Sequence, residues 1–470
     1  MKKPTSWTPA LKKSAGPLYH AITNALENDI ANGKLRPGEL LPTQRELAKR
    51  LGVAFTTITR AYAEARKRGL IRATVGRGTF VTSSRSVDSR DEEANASTYN
   101  LSINTPPIPA WMYRALTDTL VRVSDDETLI KQGLSYESAK LEAAINSSGL
   151  IWLASRRVDA NASQVVVTNG AQHALSVLFT TLAKPGDTVL VEALAYPGTQ
   201  SAAASSGVNL IGVEMDDEGI LPDALDALCT RHKPKAIMCV PTLQNPTTAV
   251  MSLSRRHEII AVAARHNVRI VEDDICGPLL ADAPPPLAAL APDVCYYIGS
   301  ISKCVAPGLR VAFVACPTTE DANRLRSAVN ASVLMLSPLP LAVACDWINN
   351  GTAARAVNSI RAEAVTRGAL IRSTLGNVDV RMPRGSLHAW LQLPTNWTVA
   401  AFVAEALRRG VRVAPAEWYI TPISSVTPRA TPHAVRLTVG QPVNSKGVES
   451  ALTTLASILA GQPTFRTAQI

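Results

Sequence analysis

The stretch Gly299-Ser-Ile-Ser-Lys303-Cys-Val-Ala-Pro-Gly-Leu-Arg310 places two hydroxyls, one amine and one guanidinium where an apolar strand gives way to a loop. A lysine in such a loop can form a Schiff base with an aldehyde cofactor. The hydroxyls of Ser300 and Ser302 and the guanidinium of Arg310 can hold a phosphate group. The stretch therefore predicts a phosphorylated cofactor that is anchored at Lys303.

Compact apolar runs occur on both sides of this stretch, and helical patterns separate most of them. The runs are Val165-Val-Val, Thr188-Val-Leu-Val, Ala236-Ile-Met-Cys-Val, Val268-Arg-Ile-Val and Tyr296-Tyr-Ile. This alternation predicts an α/β fold with a mostly parallel sheet. Residues 331–470 contain longer helical patterns and fewer strands, which indicates a smaller C-terminal α+β lobe.

Polar and aromatic residues follow several of these runs at their carboxyl ends. Thr168-Asn-Gly-Ala-Gln172 opens a helix whose backbone N–H groups could bind phosphate, and its glycine permits a close approach. Tyr196 could stack on a planar ring, and the Asn245 amide could donate to a phenolate oxygen. The Asp273 carboxylate could hold a pyridinium nitrogen protonated. Because α/β sheets bind ligands at this edge, the sequence predicts one shared site there.

The order and spacing of these residues resemble those of fold-type-I aminotransferases, which use pyridoxal 5′-phosphate (PLP), over about residues 100–465. The resemblance implies that Lys303 forms the Schiff base with PLP and that Arg436 binds a ligand carboxylate bidentately. It also implies a homodimer in which Tyr136 could reach the partner's phosphate. The cofactor-binding residues that it implies are Ala171, Gln172, Tyr196, Asn245, Asp273, Ser300, Ser302, Lys303 and Arg310.

Two segments depart from the pattern of the relatives. Asp273-Asp-Ile-Cys276 has a cysteine where relatives usually have a tyrosine that bonds the ring oxygen of the cofactor. The loss of that bond predicts weak transamination. Lys140-Leu-Glu-Ala-Ala stands where relatives commonly show Gly-x-x-x-Leu-Arg, close to Tyr136.

The excess charge of the chain is concentrated at its N-terminus. Residues 1–82 contain 15 Lys and Arg against 5 Asp and Glu, a net charge of +10, and the remaining residues contain 33 of each sign. A basic module joined to a neutral body indicates a polyanionic partner for the module. The alternative is a basic tail without a binding role.

The basic module has the pattern of a winged helix-turn-helix. Apolar residues recur at helical spacing from Leu18 to Ile30, Pro42 suits the start of a second helix, and Thr56 can cap a third. The stretch from Leu70 to Val81 then predicts two short strands around a glycine turn. Residues 83–100 are polar and predict a linker, which divides the chain into domains at 1–82 and 101–470.

This module resembles the GntR family over residues 17–81. The resemblance rests on Pro37-Gly-x-x-Leu-Pro-x-x-Arg-Glu-Leu-Ala, Gly52-Val-x-x-x-Thr, Gly69-Leu-Ile and Gly76-Arg-Gly-Thr-Phe-Val. It implies contacts with double-stranded DNA. The DNA-binding residues that it implies are Arg45, Thr56, Thr57, Thr59, Arg60 and, at the tip of the wing, Arg77. Phe55 departs from the family, which often has a polar or basic residue there.

Both halves together look like the MocR group of GntR regulators. The function that this implies is a PLP-dependent transcriptional regulator whose aminotransferase-like domain senses an amino acid, an amine or PLP. An active aminotransferase with an accessory DNA-binding head is the alternative, and a repressor with an empty, degenerate pocket is a third interpretation.

Composition bounds the remaining possibilities. The seven cysteines form no Cys-x-x-Cys, so no metal site is predicted. The sequence has no run of 18 apolar residues and no apolar signal-peptide core near Met1, which predicts a cytoplasmic protein.

Overall fold

The structure is a computed structural model. The residues it describes are 7–9, 17–32, 34–35, 39–67, 70–74, 78–81, 99–136, 139–421, 432–440 and 444–461. The chain divides into two compact units, Met1–Ala96 and Ser97–Ile470, called here the head and the body. The domain boundaries predicted from the sequence stay predictions, and residues 82–98 of the linker region lie outside the described residues.

The head contains three helices and a two-stranded antiparallel sheet, in the order of a winged helix-turn-helix. Its elements are α1 (Leu18–Ala31), α2 (Gln44–Leu51), α3 (Phe55–Lys67), β1 (Ile71–Thr74) and β2 (Gly78–Val81). The apolar faces of the helices meet in one core, in which Ile22, Leu47 and Ile58 are fully buried. Arg77 lies outside the described residues.

Two helix starts differ from the sequence prediction by one or two residues. Helix α2 begins at Gln44 and not at Pro42, because the Thr43 hydroxyl accepts a hydrogen bond from the Glu46 N–H at 3.3 Å and so caps the first turn. The Pro42 carbonyl instead accepts a hydrogen bond from the Tyr62 hydroxyl at 2.9 Å. Helix α3 already includes Phe55, so Thr56 lies inside the helix and the prediction that it caps α3 was wrong.

The body contains the remaining strands and helices. The strands are β3 (Tyr99–Asn100), β4 (Val165–Thr168), β5 (Thr188–Glu192), β6 (Asn209–Val213), β7 (Met215–Asp216), β8 (Gly219–Ile220), β9 (Ala236–Cys239), β10 (Arg269–Asp273), β11 (Cys295–Ser300), β12 (Ala312–Ala315), β13 (Val380–Arg381), β14 (His388–Gln392), β15 (Val411–Arg412), β16 (Ala414–Pro415) and β17 (Ala434–Thr438). The helices are α4 (Ala110–Asp125), α5 (Glu127–Gly133), α6 (Ala139–Ala154), α7 (Gly170–Leu182), α8 (Pro197–Ser206), α9 (Pro222–His232), α10 (Leu253–Arg265), α11 (Leu287–Leu290), α12 (Thr319–Val333), α13 (Pro338–Asn349), α14 (Thr352–Leu375), α15 (Val399–Arg408) and α16 (Ser445–Leu459).

The main sheet has seven strands in the order β4-β12-β11-β10-β9-β5-β6. Strand β12 runs antiparallel to both of its neighbours, and the strands from β11 to β6 are parallel to one another. The carboxyl ends of β5, β9, β10 and β11 therefore lie at the same edge as the amino end of β12. This topology confirms the predicted α/β fold with a mostly parallel sheet.

Both faces of the main sheet are buried, as expected when helices cover a parallel sheet on each side. Because side chains alternate along a strand, Leu190 and Ile270 belong to one hydrophobic cluster and their neighbours Val189 and Val271 to another. All seven cysteines are buried and free. No helix among the described residues is long and apolar enough to cross a membrane.

The C-terminal lobe forms an antiparallel sheet in the order β13-β14-β17-β16, and the long helix α14 belongs to the same part of the body. Strand β17 carries Arg436. Strand β3 pairs in parallel with β15, which brings Tyr99 opposite Val411. Tyr99 and Asn100, which the sequence analysis assigned to the linker, are therefore part of the fold of the body.

Candidate cofactor site and DNA-binding face

A cavity of about 320 Å³ lies at the carboxyl edge of the main sheet. It brings together all the residues that were predicted to bind the cofactor and the effector carboxylate. They are Ala171, Gln172, Tyr196, Asn245, Asp273, Ser300, Ser302, Lys303, Arg310 and Arg436. The topology explains this convergence, because β4, β5, β9, β10 and β11 run in the same direction and all end at this edge. Arg310 lies just before the antiparallel strand β12, which begins at the same edge.

Lys303 follows the carboxyl end of β11 and points its amine into this cavity. Burial lowers the pKa of the Lys303 amine, and the neighbouring Asp273 opposes that shift only in part. A lowered pKa increases the fraction of neutral amine near pH 7, which is the form that attacks an aldehyde. The Nζ atom donates a hydrogen bond to the backbone carbonyl of Asn104.

Asp273 is the last residue of β10, and only 4% of it is exposed. Burial raises the pKa of its carboxyl to about 7, and the negative charge of Asp274 adds to the shift. Its Oδ1 accepts a long hydrogen bond of 3.4 Å from the Ile275 N–H. A protonated ring nitrogen beside this carboxylate would provide the positive charge that favours its ionised form.

Arg436 reaches the cavity from β17 and is almost fully buried. Its Nη1 donates to Asn245 Oδ1 at 2.7 Å, and its Nη2 donates to the Ser102 carbonyl at 2.5 Å. Its guanidinium carbon lies 5.2 Å from the ring centroid of Tyr419. The Nε atom is buried and has no hydrogen-bond partner among the described residues. Nη1 and Nη2 each keep a second hydrogen, with which the guanidinium could engage a carboxylate. Because Asn245 Oδ1 is occupied, its Nδ2 is the group left to donate to a ring oxygen.

The opposite end of the cavity is shaped for an anion. Gly170, the first residue of α7, has a φ of 78°, and a Cβ at this position would lie 2.6 Å from Nη2 of Arg310. The absent side chain therefore leaves room for the guanidinium, whose Nη2 lies 3.5 Å from the Asn169 carbonyl. The hydroxyl of Ser300 donates to the hydroxyl of Ser302 at 3.1 Å, which holds the two side chains together.

Two predicted residues have contacts that limit their roles. The Gln172 Nε2 donates to the Gly198 carbonyl at 2.7 Å, so its side-chain N–H2 is already partly used. Tyr196 immediately precedes α8, and 40% of it is exposed, so its ring is accessible at the cavity. Stacking on a cofactor ring stays a prediction for Tyr196.

These residues fit PLP. Three cations, Lys303, Arg310 and Arg436, and one carboxylate, Asp273, line the cavity, which suits a ligand with a phosphate dianion and a ring nitrogen. When bound, PLP supplies a ring that acts as an electron sink. Arg310, Ser300 and Ser302 would hold its phosphate, Asp273 its ring nitrogen and Lys303 its aldehyde carbon.

The sequence analysis missed five residues that line the cavity from the start of the body and from its C-terminal lobe. Ser102, Ile103 and Asn104 line one side of the cavity, and Trp418 and Tyr419 line another part of it. None of them follows a strand of the main sheet. The hydrogen bond between Arg436 and Ser102 spans 334 residues of sequence, so no local pattern marks it.

Cys276 and Tyr136, the two residues at which the sequence departs from the relatives or adjoins such a departure, differ in their relation to the cavity. Cys276 lines the cavity and is buried, which raises the pKa of its thiol to about 12, so it stays protonated at neutral pH. Tyr136 does not line this cavity, and 80% of it is exposed. The idea that Tyr136 contacts a partner's cofactor stays a prediction.

In the head, five of the six residues predicted to bind DNA lie on α2 and the start of α3, and the sixth, Arg77, is outside the described residues. Arg45, Thr56, Thr59 and Arg60 are exposed, and Thr57 is half-buried. The Thr59 hydroxyl donates within the head, with Gln44 Oε1 at 3.0 Å, so toward DNA it offers acceptor lone pairs. DNA contact by each of these residues stays a prediction.

Comparisons with known proteins agree with this two-part organisation. The profile of the family "Aminotransferase class I and II" matches residues 96–455, and that of "Bacterial regulatory proteins, gntR family" matches residues 18–81. The chain is 29% identical to the uncharacterised HTH-type transcriptional regulator YdeF of Bacillus subtilis (strain 168), over 97% of both chains. It is 27% identical to the HTH-type pyridoxine biosynthesis transcriptional regulator PdxR of Corynebacterium glutamicum, over 79% of this chain and 82% of that one.

Among solved structures, an archaeal alanine:glyoxylate aminotransferase superposes with a TM-score of 0.69 at 21% identity, over 79% of this chain and 93% of that one. This likeness shows the fold of the body. Since the aminotransferase profile spans well over half of the sequence, the chain belongs to the aminotransferase class I and II family, and with its gntR-family head it is a DNA-binding regulator that carries a PLP-binding, aminotransferase-like body.

Proposed function

We propose that this protein is a cytoplasmic transcriptional regulator that uses PLP on Lys303 to detect a primary amine, most simply an amino acid. The observation that carries the proposal is the convergence of Lys303, Asp273 and Arg310 in one cavity with Arg436. The first three would hold the cofactor, and the Arg436 guanidinium, which also lines the cavity, would receive the carboxylate of an amino acid.

The effector would act by changing the equilibrium between two states of the protein that hold DNA differently. Such a switch requires that the effector binds one state more tightly than the other. The amine of the effector would replace the Lys303 amine on the cofactor, and a carboxylate would engage Arg436. The 27% identity with PdxR, named as a regulator of pyridoxine biosynthesis, supports PLP itself as a second candidate signal.

The test of cofactor attachment uses the full chain with PLP. Borohydride reduction followed by peptide mass spectrometry is expected to find a pyridoxyl group on the peptide that contains Lys303. The Lys303→Ala variant serves as the matched control and should retain no adduct at that peptide. An adduct confined to other lysines, or no adduct with PLP in excess, would contradict the proposal.

The test of regulation measures operator-length DNA binding at fixed salt with and without PLP, and then with PLP and a panel of amino acids. We expect at least one amino acid to change the DNA affinity of the wild-type protein and not that of Lys303→Ala. Identical affinities under all conditions would limit the body to a non-regulatory role. The salt concentration must be held constant because phosphate contacts make affinity strongly salt-dependent.

The proposal includes a homodimer. Large apolar side chains are exposed on and after α4 and α5, among them Leu120, Val121 and Leu134, which is 85% exposed. Clusters of exposed apolar side chains are typical of interfaces between protein chains, which motivates this part of the proposal. Light scattering on the full chain is expected to give twice the mass of one chain, and a monomer at micromolar concentration would contradict this part of the proposal.

A working aminotransferase is the second candidate, and the intact pair of Lys303 and Asp273 favours some residual activity. The thiol of Cys276, with its high pKa, stands where a phenol was expected, which argues for slow turnover. Amino-acid and keto-acid pairs are therefore expected to react well below an ordinary enzyme rate of about 10 per second. Turnover at that rate would favour the enzyme over the regulator.

A further inference from the structure

Residues 101–104, which directly follow β3, are hydrogen-bonded to Lys303 and Arg436, the two basic residues that would bind the ligand. Lys303 Nζ donates to the Asn104 carbonyl, and Arg436 Nη2 donates to the Ser102 carbonyl. The same segment lines the cavity, so it is in contact with whatever occupies it.

The other contacts of residues 101–104 come from the C-terminal lobe. The Thr438 hydroxyl donates to the Ile103 carbonyl at 3.0 Å, and the Thr438 N–H donates to the Leu101 carbonyl at 2.9 Å. The Leu101 N–H in turn donates to the Arg412 carbonyl at 2.8 Å. The segment is therefore fixed at one end by the lobe and at the other by Lys303.

The side chain of Asn104 is fixed by a buried histidine. Burial lowers the pKa of His388 to about 3, so its ring is neutral. Its Nε2 lies 3.0 Å from the Gln244 carbonyl and must donate, which leaves Nδ1 as an acceptor for the Asn104 Nδ2 at 3.4 Å. The His388 ring therefore holds the Asn104 side chain, and the backbone carbonyl of the same residue accepts from Lys303.

We propose that Asn104 positions the Lys303 amine and that, through this bond, residues 101–104 sense whether the lysine is free or attached to the cofactor. The inference rests on the proposed function, because it requires PLP to bind at Lys303. The segment directly follows β3, the first strand of the body, so it is close in sequence to the part of the chain that leads to the head.

The chemistry gives the segment two states. When Lys303 attaches to PLP, its neutral Nζ would form a double bond to the aldehyde carbon, and the two amine hydrogens would leave with the aldehyde oxygen as water. The N–H donors that held the Asn104 carbonyl would then be lost. When an effector amine takes over that carbon, the carbon–nitrogen bond to Nζ breaks and two hydrogens of the effector nitrogen end on Nζ. The released Lys303 amine can donate to Asn104 again.

Hydrogen exchange of the full chain tests this inference, with PLP compared against pyridoxamine 5′-phosphate. Both compounds have the same ring and phosphate, but pyridoxamine phosphate lacks the aldehyde and leaves Lys303 free. We expect the peptide covering residues 99–106 to exchange about fivefold faster with PLP than with pyridoxamine phosphate, as the loss of one hydrogen bond implies. A peptide from α9 should not respond.

Adding a primary amine to the PLP form provides the reverse step. L-alanine and ethylamine are expected to return the exchange of residues 99–106 to the level with pyridoxamine phosphate, whereas propionate, which has no amine, should leave it unchanged. Equal exchange with PLP and pyridoxamine phosphate, although borohydride traps PLP on Lys303, would overturn the inference and leave the proposed function intact. Absence of the trapped adduct would overturn both.

A variant outside the cavity tests whether the segment transmits the signal. Thr438 is fully buried and does not line the cavity, and Thr438→Val removes the hydroxyl that holds the Ile103 carbonyl. We expect this variant still to bind PLP. The ratio of its DNA affinity with PLP to its DNA affinity with pyridoxamine phosphate should be closer to one than the wild-type ratio, by at least threefold. Thr438→Ser, which keeps the hydroxyl, should behave as the wild type. An unchanged ratio in Thr438→Val would mean that residues 101–104 do not carry the signal.

Discussion

At the scale of single residues, Asp273 combines a cost in stability with a role in cofactor binding. Burial raises the pKa of its carboxyl to about 7, far above the value of about 4 in an unfolded chain. Between these two pH values the unfolded chain has lost the proton and the folded chain has kept it. Stability therefore falls as the pH rises from about 4 to about 7, and the full cost is present above pH 7.

This argument predicts that Asp273→Asn stabilises the protein when the cofactor is removed. The amide has nearly the same shape and no charge, so at pH 8 the variant should be more stable by roughly 2 kcal/mol or more, and the gain should shrink toward pH 4. Thermal unfolding at pH 5 and pH 8 measures the difference. Burial also raises the pKa of Glu272, which is present in both proteins. Burial raises the pKa of Glu192 as well, and the Asp273 charge adds to that shift, so Asp273→Asn should relieve Glu192 too and stabilise the variant in the same direction.

With PLP added, the order should reverse, because only the wild-type carboxylate can pair with the ring nitrogen. The wild type should then gain more thermal stability from PLP than Asp273→Asn does. A variant that is less stable than the wild type at pH 8 without cofactor would show that Asp273 is not under the electrostatic strain argued here.

At the scale of elements, the turn from β4 into α7 determines how the phosphate end of the cavity is built. Gly170→Ala would place a methyl group 2.6 Å from Arg310 Nη2 and would also strain a backbone with a φ of 78°. Gly186→Ala is a matched control, because Gly186 has a φ of 90° and no atom within 4 Å of the added carbon. We expect both variants to lose about 1 kcal/mol of stability.

Only Gly170→Ala should also lose PLP affinity, by about tenfold or more. The reason is that the loss of one charge-assisted hydrogen bond costs roughly 1.5–3 kcal/mol. Titration of PLP absorbance with the two variants gives the comparison. Equal PLP affinities in Gly170→Ala and Gly186→Ala would show that Arg310 does not contact the phosphate.

The same elements show what the sequence could predict and what it could not. Asp273 and Lys303 were predictable because each lies at or shortly after the end of an apolar strand. Parallel strands end at the same edge of a sheet, so the two side chains were expected to be close together. Residues 102–104 and Tyr419 were not predictable, because they reach the cavity through pairings between distant parts of the chain. The start of α2 was displaced from Pro42 because Thr43 offers a side-chain cap, which proline lacks.

At the scale of the whole molecule, the excess charge is concentrated in the stretch that contains the winged helix-turn-helix. Residues 1–82 carry the net charge of +10, and the rest of the chain is neutral. DNA binding by the full chain should therefore depend on salt through residues of the head alone. Each phosphate contact contributes a slope of about −0.9 to the logarithm of affinity against the logarithm of salt concentration.

Arg60, exposed on α3, provides the sharpest test of this separation. Arg60→Ala is expected to weaken DNA binding and, if the guanidinium contacts a phosphate, to reduce the salt slope by about one. Arg231→Ala in α9 removes the same charge from an exposed site of the body and should change neither quantity. Affinities measured for both variants and the wild type across a range of salt concentrations give the slopes. If Arg231→Ala reduces the slope as much as Arg60→Ala does, DNA binding follows the total charge of the chain and the surface of α2 and α3 is not the specific contact.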